Sequence, residues 1–266
     1  MDTTRGTTGP GGARAAAVGP DDPAFPAYRA PRSRSLDALD AQVIRCRACP
    51  RLVAWREEVA ATRRAAFREW EYWGRPVPGF GPPDAAIAVV GLAPAAHGGN
   101  RTGRMFTGDA SGDYLFAALH EVGLASRAEA THAGDGLELR GVRLAAPVHC
   151  APPDNKPTPQ ERDNCRPWLA AELELLGPGL RTVVVLGAFG WQALLPVLDA
   201  AGWQVPRPRP RFGHGVQVVL EAAEEGRPPL RLLGCYHPSQ RNTSTGRLTL
   251  PMLVDVFREA ARLSGL

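Results

Sequence analysis

Short apolar runs alternate along the chain with stretches in which apolar residues recur at helical spacing. The runs predict four buried strands, at 85–90, 142–148, 183–186 and 230–236, and a possible edge strand at 216–220. The helical spacing predicts helices at 36–44, 52–67, 111–122, 159–176 and 188–200, and a terminal helix that begins near Thr249. Because strands alternate with helices, we expect an α/β protein with a three-layer α/β/α fold and a largely parallel central sheet of about four strands.

The clearest helix start is the capping box of Thr158 and Glu161, with Pro159 at the first helical position. Pro167 is expected to perturb the helix that follows, since proline removes a backbone donor. Ligands of open α/β sheets bind beyond the carboxyl ends of the strands. Three of these ends carry conspicuous loops, at 91–109, 150–158 and 237–246.

Residues 1–34 are rich in Gly, Pro, Ala, Thr and Arg and contain few large apolar side chains. Such a segment buries too little surface to offset its ordering entropy, so we expect a disordered tail. Residues 35–266 are predicted to form a single domain that carries all the candidate chemistry.

Composition narrows the class of protein. Hydrophobic residues make up 44% of the 266 positions, and no stretch approaches the ~18 apolar residues of a membrane span. A secretory signal is also absent, so a cytoplasmic location is expected. The net charge is +4, and Lys156 is the only lysine among 31 basic residues. The arginine excess suits a polyanionic partner, although codon bias in a GC-rich genome would give the same composition.

Four of the five cysteines form two pairs, Cys46 with Cys49 and Cys150 with Cys165. Four thiolates can hold a zinc ion or an iron–sulfur cluster. The wide spacing of the second pair favours a [4Fe–4S] cluster over a zinc knuckle, while unligated thiols remain open at this point. Cys235 lies inside a predicted strand and is expected to be a small buried hydrophobe.

Two of the loops carry long motifs. The loop from Gly91 to Asp109 reads GLAPAAHGGNRTGRMFTGD, and the loop from His237 begins HPSQRNT. The first loop is neither a phosphate-binding P-loop nor a dinucleotide fingerprint. Together they resemble the uracil-DNA glycosylase superfamily, type b group (family five), and the four cysteines look like those of its iron–sulfur branches. The similarity spans roughly residues 36–266. It implies a structural [4Fe–4S] cluster held by Cys46, Cys49, Cys150 and Cys165.

The resemblance implies hydrolysis of the bond between a damaged base and deoxyribose, after the nucleotide is flipped into a pocket. Phe106 matches the family's stacking aromatic, and Gly91 and Ala93 lie in the base-binding loop. His237 matches the motif histidine, whose ring N–H can stabilise charge that develops on the base. A neutral imidazole suffices for that role.

The residue that positions the water is less evident, because Ala95 and Ala96 stand where the superfamily usually has a polar side chain. Asp109 and Asn155 are the candidates. Their alternatives are a helix N-cap and ordinary turn chemistry. Ala146 stands where other members read the uracil edge with asparagine, so we expect a tolerant pocket that also accepts hypoxanthine.

DNA is the expected partner, with no membrane, and the protein is expected to be a monomer. Ser239 would hold a phosphate, and Gln240, Arg241 and Asn242 would enter the minor groove or contact the base. Arg101 is a further candidate for DNA contact, while Arg104 and Arg247 could equally form structural ion pairs. The alternative function is that of a non-enzymatic iron–sulfur protein that binds nucleic acid or transfers electrons.

Overall fold

The computed structural model describes residues 18–266. Its strands are β1 (Ile87–Val90), β2 (Val142–Ala145), β3 (Thr182–Leu186), β4 (Gln217–Leu220) and β5 (Leu230–Cys235). They form one sheet in the order β2-β1-β3-β5-β4. The first four in that order are parallel, and β4 runs antiparallel beside β5 as an edge strand. The predicted sheet, including its edge strand, is confirmed.

The helices are α1 (Phe25–Arg29), α2 (Leu36–Val43), α3 (Pro50–Thr62), α4 (Gly99–Thr102), α5 (Ala110–Glu121), α6 (Pro159–Leu176), α7 (Ala188–Ala200), α8 (Gln240–Ser244) and α9 (Leu250–Ser264). Short 3₁₀ turns cover Ala30–Arg32, Ala65–Phe67, Pro153–Asn155 and Gly177–Gly179. Of the helices in residues 18–266, none is long and apolar enough to cross a membrane.

The two faces of the sheet build two separate cores, because side chains alternate along each strand. Ala88 and Val90 of β1 belong to the core that contains Trp168 of α6 and the apolar residues of α7. Ile87 and Val89 belong to the opposite core, which includes the apolar faces of α5 and α9 around Phe257. Helices therefore cover both faces, as the predicted three-layer fold requires.

One helix ends earlier than the sequence predicted, and another runs through an internal proline to its predicted end. The second predicted helix ends at Thr62 rather than at 67, since Arg63 adopts a left-handed conformation with φ +57°. The capping box of Thr158 and Glu161 starts α6 as predicted, and α6 continues through Pro167 to Leu176. The buried side chains that follow the proline, Trp168 among them, anchor the second half of this helix in the core.

The predicted disordered tail needs correction. Residues 18–34 are ordered and include α1, in which Phe25 is fully buried. The Phe25 ring meets the Trp168 ring edge to face, with centroids 6.0 Å apart. One well-placed aromatic ring is therefore enough to anchor a segment of low average hydrophobicity. Residues 1–17 of the predicted tail lie outside the described residues.

Candidate active site

A cavity of about 470 Å³ opens at the carboxyl ends of β1, β2, β3 and β5. This is the edge of the sheet at which the sequence predicted a ligand. The predicted site residues that line it are Ala93, Phe106, Asp109, Ala146, Asn155, His237, Ser239 and Asn242. The wall that follows β3, formed by Gly187, Ala188 and Phe189, was not predicted from the sequence. The same strand-end rule applied to 187–189 would have found it.

Phe106 adopts a strained backbone conformation, with φ +53°. Non-glycine residues rarely occupy this region, and those that do cluster at functional sites. Gly91 is not among the residues that line the cavity, so its contact with the base stays a prediction. Its role is to leave room for the Phe106 ring, since a Cβ at Gly91 would lie 2.6 Å from Phe106 Cζ.

His237 follows the end of β5 and shares the cavity with Phe106. The centroids of the two rings are 6.2 Å apart and their planes differ by 33°. Asn242 donates from Nδ2 to the His237 carbonyl at 2.9 Å, so α8 helps to fix the histidine backbone. Burial lowers the pKa of His237 to about 4. The imidazole is therefore neutral at pH 7 and offers one N–H and one lone pair.

Asp109 is the N-cap of α5, which is the alternative role predicted for it from the sequence. Its Oδ1 accepts the N–H groups of Ser111 and Gly112 at 2.9 and 3.0 Å. No hydrogen bond from the described residues reaches Oδ2, which lies where a side chain on Gly98 would be. Burial raises the Asp109 pKa, while those two N–H groups and the charge of Arg101 oppose the shift. One oxygen thus holds the helix, and the other is free for a water molecule.

Asn155 and Ala146 approach the cavity from the two ends of the segment that follows β2. Ala146 is 1% exposed and presents only a methyl group. Asn155 is exposed and has φ +54°, as does Asp154 before it. Two consecutive left-handed residues turn the chain sharply and bring the Asn155 side chain to the cavity rim.

Arg101 is buried, and this corrects the prediction that its side chain contacts DNA. It is 4% exposed, and it donates from Nε to the His97 carbonyl and from Nη2 to the Gly108 carbonyl. The rings of Phe67 and Trp70 cover its guanidinium, with centroids 3.9 and 4.1 Å away. Sequence alone could not reveal this aromatic cover, because Phe67 and Trp70 lie over thirty positions earlier in the chain.

Arg104 is a structural ion-pair residue. It donates through Nη1 and Nη2 to the two oxygens of Asp135 at 2.8 and 2.7 Å, and through Nε to Thr107 Oγ1 at 2.8 Å. Both members of the ion pair are almost fully buried. The pair ties the segment around Phe106 to the loop that precedes β2.

The predicted DNA-contact residues after β5 lie on and beside the short helix α8. Ser239 is its N-cap and lines the cavity. Gln240 and Arg241 are exposed on the outside of the molecule, next to the cavity mouth. This placement is compatible with contact to a nucleic acid that enters the cavity.

The four predicted ligand cysteines, Cys46, Cys49, Cys150 and Cys165, line one small cavity of about 20 Å³. Within residues 18–266, no group of three or more His, Cys, Asp or Glu side chains is arranged to hold a metal ion. A cavity of this size is too small for a cluster, so the side chains would have to rearrange to hold one. Burial raises the pKa of each thiol, which favours the neutral thiol when no metal is bound. Cys235 is fully buried in β5, as predicted.

The surroundings of these thiols fit an anionic metal–thiolate group. Arg56 is 2% exposed and donates to Cys150 Sγ at 2.9 Å, while its nearest carboxylate, on Glu57, is 4.0 Å away. The Nε atom of Arg56 has no hydrogen-bond partner among the described residues. A buried cation and an unpaired N–H donor are costly unless negative charge lies nearby. Sulfur ligands around a cluster would supply that charge.

Comparison with known proteins agrees with this geometry. A sequence profile described as the uracil DNA glycosylase superfamily matches residues 78–261. The chain is 55% identical to the type-5 uracil-DNA glycosylase of Mycobacterium tuberculosis over 232 residues, which cover 87% of this chain and 83% of the relative. It is 52% identical to that of Thermus thermophilus, covering 83% and 94% of the two chains. With that of Pyrobaculum aerophilum it shares 46% identity, covering 84% and 91%.

Proposed function

Since the chain belongs to the uracil-DNA glycosylase superfamily, we propose that it removes uracil from DNA. The reaction is hydrolysis of the N-glycosidic bond, and its product is an abasic site. The observation that carries the proposal is the meeting of Phe106, Asp109 and His237 in one cavity at the carboxyl edge of the sheet. Together these residues supply what the reaction needs. Phe106 gives a stacking surface, Asp109 a group that orients water, and His237 a donor to the leaving base.

The chemistry follows from how charge develops. As the glycosidic bond breaks, its electron pair moves to the base, and the sugar carbon becomes positive. A water oxygen then bonds to that carbon and loses a proton. Catalysis therefore requires a hydrogen-bond donor toward the base and a negative group on the sugar side.

His237 is the donor in this proposal. Its low pKa keeps the ring neutral, so one ring N–H can donate to a base carbonyl without a prior protonation. Asp109 orients the water through Oδ2, because its Oδ1 is occupied by the N-terminal amides of α5. Asn155 is a second polar contact for the water or the base, and Phe106 stacks on the flipped base.

The substrate range is proposed to extend beyond uracil. Ala146 offers no hydrogen bond to a base edge, and Leu92, Met105 and Phe189 add further apolar surface to the cavity. A site discriminates strongly between bases when its buried polar groups form hydrogen bonds to one base. A base without the partner groups leaves those polar groups unpaired. A wall without such bonds tolerates deaminated purines such as hypoxanthine.

We also propose that Cys46, Cys49, Cys150 and Cys165 hold a [4Fe–4S] cluster. When bound, the cluster would tie the start of α3 to α6 and to the segment between β2 and α6. The same parts of the chain are already joined by Arg51 of α3, which donates to Glu161 at 2.8 and 2.7 Å and to the Lys156 carbonyl at 3.1 Å. Because Lys156 follows Asn155, the role of the cluster is structural support of the active-site loop. Hydrolysis transfers no electrons and needs no redox centre.

The function is tested with a panel of oligonucleotides that contain uracil, hypoxanthine, xanthine or thymine opposite each base. We expect fast release of uracil, measurable release of hypoxanthine and none of thymine. His237→Ala and Asp109→Ala serve as controls for contaminating activity. DNA binding without release of any base would favour the alternative of a non-enzymatic iron–sulfur protein.

The cluster is tested by iron analysis and by absorbance near 400 nm. Cys150→Ser is expected to lower both signals and the melting temperature, whereas Cys235→Ala keeps both signals because Cys235 lies elsewhere, in β5. A colourless Cys150→Ser protein that melts like the wild type would contradict the structural role. We also propose that the protein is a monomer and is located in the cytoplasm. Light scattering of the purified chain measures the oligomeric state.

A further inference from the structure

Arg247 is the one permanently charged cation among the described residues that line the active-site cavity. It is exposed and lies between the short helix α8 and α9, on the same side as His237. None of the catalytic roles proposed for this cavity involves Arg247. From the sequence alone, a structural ion pair and a functional contact were both open for it.

The guanidinium of Arg247 is held in place by an aromatic stack. It lies 4.5 Å from the centroid of the Tyr236 ring. Tyr236 in turn stacks on His214, with centroids 5.1 Å apart and planes that differ by 30°. His214 Nδ1 accepts the backbone N–H of Tyr236 at 3.3 Å, which fixes the histidine ring. A cation over a fixed aromatic face is stabilised without losing its charge or its N–H donors.

No carboxylate neutralises this arginine. Among residues 18–266, neither an ion pair nor a hydrogen bond is formed by the Arg247 side chain. The contrast with Arg104 and Arg143 is clear, because each of those is buried and paired with acidic side chains. An exposed, pre-oriented guanidinium at a cavity mouth is available to bind an anion from outside the protein.

We propose that Arg247 binds a phosphate group of the DNA strand next to the nucleotide whose base enters the cavity. The inference rests on the proposed function and adds a specific contact to it. The bases of DNA are neutral, whereas every nucleotide carries a phosphate, and the planar fork of arginine matches two phosphate oxygens. The contact would hold the flipped nucleotide at its backbone while Phe106 and His237 act on its base.

Salt dependence of binding tests the contact, because each phosphate contact contributes about −0.9 to the slope of log affinity against log salt on duplex DNA. The probe is a duplex with one 2′-fluorinated deoxyuridine, which resists hydrolysis. We expect Arg247→Gln to reduce the magnitude of the slope by about 0.9. The ratio of wild-type affinity to variant affinity should therefore fall about 3.5-fold between 50 and 200 mM salt. Arg247→Lys should keep the slope.

The matched control is Arg140→Gln. Arg140 is also exposed, but it precedes β2 at the opposite edge of the sheet, and its replacement should leave the slope unchanged. An Arg247→Gln slope equal to that of the wild type would overturn the proposal. Base release by the wild type is measured in the same preparation, so that failure of the proposed function is seen separately.

Neutral methylphosphonates placed singly around the lesion locate the phosphate. One position should weaken binding of the wild type severalfold and have no further effect on Arg247→Gln. If every position weakens both proteins equally, Arg247 does not bind a phosphate of this strand.

Discussion

The α-carbon of Gly91 lies against the tip of the Phe106 ring, so that a Cβ at position 91 would be 2.6 Å from Phe106 Cζ. Gly91 closes β1, and Phe106 lies in the loop before α5, so the contact sets the position of the ring relative to the sheet. The left-handed backbone of Phe106 points the ring at that gap. Position 91 needs glycine because a side chain would collide with the ring. Its backbone φ is not in the left-handed region, so conformational freedom is not the reason.

Gly91→Ala should slow base release by about 5-fold or more. The added methyl must push the Phe106 ring out of its place, and overpacking of this kind costs about 1–3 kcal/mol. Single-turnover release of uracil measures the effect, together with the melting temperature. Gly179→Ala is the control, because a Cβ there meets no atom within 4 Å. Equal rates for the two variants would show that the ring position does not matter.

Asp109→Asn separates the two roles of Asp109. Asparagine caps helices as well as aspartate does, so the melting temperature should stay within a few degrees of that of the wild type. The rate of base release should fall by about 10²- to 10⁴-fold, because an amide cannot take the proton of the water. Asp109→Ala should lose the rate and, in addition, about 1 kcal/mol of stability. If Asp109→Asn releases uracil at the wild-type rate, the only role of Asp109 is to cap α5.

Acid should destabilise the protein partly through His237. Its pKa is about 4 in the folded state and near 6.5 for an ordinary histidine, so the unfolded chain binds more protons between these values. The stability contribution of a neutral His237 is complete above about pH 6.5 and is lost as the pH falls toward 4. Urea unfolding at pH 7 and pH 5 measures the loss.

The same measurement on His237→Gln isolates this group, because His149 and His214 also have pKa values lowered by burial and act in the same direction. The variant should lose less stability than the wild type between the two pH values. Identical losses would mean that His237 titrates alike in the folded and unfolded chains.

Arg104→Met should destabilise the protein by about 3–5 kcal/mol, because it leaves the buried carboxylate of Asp135 without its partner. Base release should slow as well, since Arg104 also holds Thr107 beside Phe106. Denaturant unfolding gives the free energy. The control is Asp255→Asn, which breaks the exposed pair with Arg258 and should change stability by less than about 1 kcal/mol.

The fold was largely predictable because the alternation of strands and helices is local information. Each strand of the parallel sheet is a short apolar run, and Thr158 marks the start of α6 by capping chemistry alone. The segment around Phe25 was mispredicted because its stability comes from Trp168, which is distant in the chain. Composition measures only what a segment can bury by itself.

The active site was predictable to the extent that its residues stand in motifs at strand ends. Phe106, Asp109 and His237 meet in one cavity, and all three are near the carboxyl end of a strand. Arg101 stands in the same motif, yet aromatic rings cover its guanidinium. A motif therefore locates a loop, but the packing of that loop decides which of its side chains face the ligand.

The strand order has a consequence for the timing of activity. Gly91 directly follows β1, early in the chain, and His237 follows β5, whose neighbours in the sheet are β3 and β4. The cavity thus comes into being when the last parallel strand docks, and a chain still emerging from the ribosome has no catalytic centre until then. During refolding, base release should return no earlier than the pairing of β5 with β3. Partly made chains that bind DNA would leave its bases intact.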